Sequence, residues 1–173
     1  MGLIGLGRGL PGHPSHPPMT DAAIGAYTAA TVLAVLAAFG VAEDALAKGW
    51  WVTLLVGLAF GALAALTGLL DWIALTPGTP LRRAATMHMV VMVSATLIFV
   101  VTAIVGWSSY DDGEMHAAAL VLVLLGYAIL ALGGWLGGQL VFVYGMRVLE
   151  LPEEPAFRAS LPGGDEKRRA EQV

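Results

Sequence analysis

The chain has 173 residues, of which 57% are hydrophobic and 13% charged, with 22 glycines and a mean hydropathy of +0.75. A soluble domain carries about 25% charged residues, so a soluble surface over the whole chain is excluded. The absence of cysteine rules out disulfide scaffolds, self-made iron–sulfur clusters, covalent c-type haem and zinc–thiolate sites, and a net charge of −4 gives no basic footprint for nucleic acid.

What is left is a small integral membrane protein. Residues 1–19 read as a cytoplasmic or interfacial segment around Gly12-His13-Pro14-Ser15-His16-Pro17-Pro18. They hold one Arg and no sustained apolar run, and Pro11 to Pro18 would interrupt a signal-peptide core. The prolines predict an extended, polyproline-like path on which His13 and His16 project the same way. A bundle over residues 20–148 follows, with spans at about 22–41, 50–75, 84–107 and 116–146. A bilayer crossing needs about 20 mostly apolar residues as helix. Thr20-Asp21 offers a cap for the first span, and Trp50 to Leu70 in the second contains no ionisable residue. Thr79 before Pro80 predicts an N-cap with proline at the first helical position, so the third helix starts ahead of its membrane part. The fourth stretch, at roughly 45 Å, exceeds the ~30 Å hydrocarbon core and must tilt, project, or bend at Gly133-Gly134 or Gly137-Gly138. Residues 149–173 read as a mobile cytoplasmic tail with no core of its own.

Short connections predict an all-α, up-down four-helix bundle in one domain. Trp50, Trp51, Trp72, Trp107 and Tyr110 fall near the span ends, as interfacial aromatic belts do. Both termini and the central loop share one side, which holds Arg8, Arg82, Arg83, Arg147, Arg158, Lys167, Arg168 and Arg169. The other side has Lys48 alone, so the termini are expected in the cytoplasm.

An ionisable residue within lipid needs a reason. Asp71 and His88 lie at similar depth across a short loop, near the side that carries His13 and His16. One reading is a structural Asp71–His88 hydrogen bond. The other is a cluster of His13, His16, Asp71 and His88 holding Zn²⁺, Fe²⁺, Cu²⁺ or a haem iron, with Asp71 orienting His88. Met87, Met89 and Met92 around His88 suit Cu(I) but more commonly fill a core. His116, among Asp111, Asp112 and Glu114, lies on the opposite surface and reads as solvated. Gly57-x-x-x-Gly61, Gly133-x-x-x-Gly137 and Gly134-x-x-x-Gly138 allow close helix packing, within the bundle or in a homo-oligomer. No nucleophile triad, phosphate loop or HExxH string is present.

In order along the chain come Gly12-His13-Pro14-Ser15-His16-Pro17, Thr20-Asp21 to Thr28, Thr67-Gly68 to Asp71-Trp72, His88, and Gly133-Gly134-Trp135-Leu136-Gly137-Gly138-Gln139-Leu140-Val141-Phe142. Together they resemble the bacterial four-helix membrane family known as domain of unknown function 2231, whose members open with H-P-x-H-P. The resemblance covers about residues 11 to 148 and implies the four-span bundle and a bacterial inner-membrane location. His13, His16, Asp71 and His88 are the polar residues shared with its pattern. Some relatives resemble fusions to a Rieske iron–sulfur domain, which implies membrane electron transfer. This chain departs at Tyr144, where members often carry histidine, so a bis-histidine haem here would need His88 with His13 or His16.

Three functions stand. The first is a membrane anchor or accessory subunit serving a redox partner protein. The second is a haem b or transition-metal electron-transfer protein using the histidine cluster. The third is a small carrier with Asp71 and His88 as a proton relay.

Overall fold

The computed structural model describes residues 7–10, 12–149, 155 and 157; most of the expected tail lies outside them. Strands β1 (Gly9–Leu10) and β2 (His13–Pro14) form a minimal antiparallel hairpin with Leu10 opposite His13. Five helices follow: α1 (His16–Ala38), α2 (Glu43–Ile73), α3 (Pro80–Val105), the short α4 (Trp107–Asp112) and α5 (Ala117–Phe142). All but α4 are long and apolar enough to cross a membrane.

The helix ends differ from the sequence expectation for local reasons. His13 and His16 do not share one extended path. His13 is in the hairpin and His16 opens α1, because prolines are tolerated in a first turn where the missing N–H has no partner anyway. Ser15 is the N-cap position, while the Thr20 hydroxyl turns back to the His16 carbonyl at 2.9 Å. The second helix starts at Glu43 because Glu43 and Asp44 favour the positive end of the helix dipole. Thr79 caps α3 as its sequence predicts, accepting the Arg82 N–H at 3.2 Å. Helix α5 runs unbroken through both glycine pairs and stops at Phe142, giving a rod of about 39 Å.

The helices are apolar all round, as lipid-facing helices are. Along α1, Tyr27 apart, size rather than polarity separates inside from outside. Ala23, Ala30, Ala34 and Ala37 line the inner face of α1, while Val32 and Leu36 face outward. Small residues let backbones approach closely where no hydrophobic force drives helices together. Helix α1 packs chiefly along α2, and α3 along α5, so two antiparallel hairpins make the bundle. Tyr27 and Phe99 stack at its centre, 4.0 Å between centroids and 10° from parallel. Trp50, fully buried, packs against Gly106. Near the α4 end, Trp51, Trp107 and Tyr110 form a ring cluster, and the Trp51 indole N–H donates to the Ala103 carbonyl at 2.8 Å.

Candidate functional site

His16 leaves the first turn of α1 toward α2. Its Nδ1 lies 2.9 Å from the Ala64 carbonyl, and its ring rests where Gly68 has no side chain. His88 leaves α3 toward α5 in the same manner. Its Nδ1 lies 2.9 Å from the Gly133 carbonyl, and its ring rests on Gly137. A Cβ at Gly68 would stand 2.8 Å from Cε1 of His16, and one at Gly137 would stand 3.0 Å from Cε1 of His88. With Nδ1 engaged in each ring, Nε2 is the nitrogen left for a ligand. For His16 it has a 3.4 Å contact to the Thr20 hydroxyl, and for His88 it makes no hydrogen bond among the described residues.

The likeness of the two sites is a property of the whole bundle. Residue numbers differ by 72 between His16 and His88 and between Tyr27 and Phe99. They differ by 69 between Ala64 and Gly133, Gly68 and Gly137, and Gly57 and Gly126. Tyr27 packs on Gly57 as Phe99 packs on Gly126. The buried residues of α1 (Ala23, Tyr27, Ala30, Thr31, Ala34 and Ala37) map at the same offset onto Ala95, Phe99, Thr102, Ala103, Gly106 and Ser109, all buried. The two hairpins are thus related by an approximate two-fold running along the bundle, with His16 and His88 as mates. The sequence signal is an 11-residue spacing, His to aromatic and Gly to Gly, that recurs once in each hairpin; individual motifs do not reveal it.

Asp71 has no counterpart in that pattern, since Leu140 occupies the equivalent place. It is 3% exposed and accepts from Arg8 Nε at 2.8 Å, with Arg147 Nε at 3.9 Å. Arg147 Nη2 also donates to the Arg8 carbonyl at 2.7 Å. Asp71 is therefore tied to arginines from both ends of the chain, and His88 takes a backbone carbonyl. A guanidinium satisfies a buried carboxylate more fully than a neutral imidazole does. His13 stands exposed on β2. Among the described residues no three His, Asp or Glu side chains gather closely enough to hold a metal ion, so the four-residue set is not brought together.

On the opposite face His116 is solvent-accessible, as expected, and also tied in. Its Nδ1 lies 3.0 Å from the Ser108 hydroxyl and its Nε2 3.1 Å from Asp112. The Ser108 hydroxyl donates to the Val105 carbonyl at 3.1 Å, so the trio is a staple across the α4–α5 turn and presents no free nucleophile.

A family model described as predicted membrane protein (DUF2231) matches residues 12–150. No curated protein and no solved structure matches the chain.

Proposed function

The chain belongs to the DUF2231 family of predicted membrane proteins, and from that premise we propose that it is a membrane electron-transfer component that binds a b-type haem through His16 and His88. One observation carries the reading: two symmetry-equivalent histidines, each with Nδ1 on a backbone carbonyl of the neighbouring helix, each seated on a glycine. A hydrogen bond to the far ring nitrogen is what fixes the tautomer and orientation of a ligating histidine. The residues fit the group. His16 and His88 would hold it through Nε2, and Arg8 with Arg147 carries one positive charge more than Asp71 neutralises, which would suit its carboxylate substituents. When bound, the iron supplies one-electron chemistry within the membrane. The chain's own part is to orient both imidazoles, each through the backbone carbonyl that engages its Nδ1. The excess of Lys and Arg beside the termini supports an inner-membrane protein with cytoplasmic termini, and therefore a haem on the cytoplasmic side.

The test is a visible spectrum of the full chain, expressed with haem supplied and purified in detergent, before and after dithionite. A Soret band that sharpens and shifts on reduction is expected, with its low-spin form lost in both His16→Ala and His88→Ala. A colourless protein, or one whose spectrum survives both substitutions, overturns the haem reading. A colourless protein leaves an anchor for a redox partner as the function.

A further inference from the structure

We propose that the groove between the start of α3 and the end of α5 binds an anionic phospholipid, with the headgroup phosphate held by Arg83. Neither Arg82 nor Arg83 has a carboxylate within ion-pair distance among the described residues. Arg82 is nonetheless occupied. Its Nη1 donates to the Leu75 carbonyl at 2.5 Å, and its guanidinium lies 4.0 Å over the Trp72 ring. Among the described residues the Arg83 side chain makes one hydrogen bond, from Nη1 to the Gly78 carbonyl at 3.2 Å. The rest of its five-donor fork borders a hollow of about 390 Å³ lined also by Met87, Trp135, Gln139 and Tyr144. A second hollow of about 460 Å³ continues past Arg82 and Thr86, with Arg83 and Met87 shared between the two.

Depth selects the occupant. Helix α3 has 26 residues, about 39 Å, so some 4–5 Å projects beyond each side of a ~30 Å hydrocarbon core. Arg83 is three residues from the start of α3, and Gln139 three from the end of α5, which sets both at headgroup level. Met87 and Trp135 lie a turn deeper and are 61% and 71% exposed. The groove therefore offers an uncompensated cation and hydrogen-bonding groups at the phosphate plane, above an apolar slot. An anionic lipid matches both levels at once, and it supplies the counter-charge that no carboxylate among the described residues supplies.

The experiment is native mass spectrometry of the detergent-purified full chain with phosphatidylglycerol and phosphatidylcholine of identical acyl chains. Phosphatidylglycerol is expected to be retained about tenfold better, because the phosphate of phosphatidylcholine is already compensated by its own ammonium and that of phosphatidylglycerol is not. Arg83→Gln is expected to remove the preference, while Lys48→Gln on the opposite face leaves it intact. If Arg83→Gln is not recovered folded, Trp135→Ala is read instead and is expected to weaken retention of both lipids. Equal retention of the two lipids by the unaltered chain overturns the proposal, as does a preference that survives Arg83→Gln or retention unaffected by Trp135→Ala. Displacement of the lipid by free glycerol phosphate at comparable concentration would assign the site to a soluble phosphate and overturn it as well.

Discussion

Gly68 and Gly137 are the residues on which the histidine sites depend most directly, because a methyl group at either would occupy the place of an imidazole edge. Gly68→Ala is expected to turn His16 off the Ala64 carbonyl and Gly137→Ala to turn His88 off the Gly133 carbonyl, the first more severely because its clearance is smaller. Ring hydrogen-bond signatures in the NMR spectrum of histidine-labelled protein would report both, whether or not haem is bound. Unchanged signatures in both variants would mean that the rings adjust without loss. Asp71 invites a second substitution. Asp71→Asn leaves Arg8 and Arg147 beside a neutral amide in a buried place, and a loss of about 1–3 kcal/mol is expected. Thermal unfolding in detergent checks it; Arg8→Gln should cost less, since Arg147 remains near enough to move in.

At the level of helices, the four spans and the α3 cap are legible in the sequence because length, apolar content and the Thr79-Pro80 pair act locally. The starts of α1 and α2 are less so. Pro17-Pro18 signals either an extended chain or a helical first turn, and only packing against α2 decides. The partners of Asp71 are illegible for another reason: Arg8 and Arg147 are 63 and 76 positions away, joined to it only once both hairpins are in place. The paired histidines lie between these cases, present as residues of interest but unrecognisable as mates until the hairpins are aligned. That alignment makes a prediction of its own. Gly57→Ala would bring a Cβ to 2.6 Å from the Tyr27 ring, and Gly126→Ala would bring one to 2.8 Å from the Phe99 ring. Each should lower stability by about 1–3 kcal/mol, in near-equal amounts, because each displaces one half of the same stacked pair. Gly134→Ala, with nothing within 4 Å of the added carbon, should be neutral or up to about 1 kcal/mol stabilising. Thermal shifts of the three variants separate packing at the stack from a general intolerance of helix glycines.

For the molecule as a whole, the bilayer orientation proposed from charge has a direct test, since a chain without cysteine gives a clean background. Glu114→Cys, beyond α4, is expected to react with an impermeant thiol reagent on intact cells. Thr76→Cys, between α2 and α3, should react only after permeabilisation. The reverse pattern would invert the orientation and move the histidine pair to the outer leaflet. The contact of Arg147 with the Arg8 carbonyl bears on how such a chain is made. It joins residues 139 apart, so it can close only after the last span has been threaded, when every other helix is already in the lipid. Until then Arg8 is held by Asp71 of α2 alone, and the segment leading into α1 is fixed from one hairpin only. The clasp is in effect a completion mark: the turn ahead of the first helix is locked from both sides only when the last helix has taken its place.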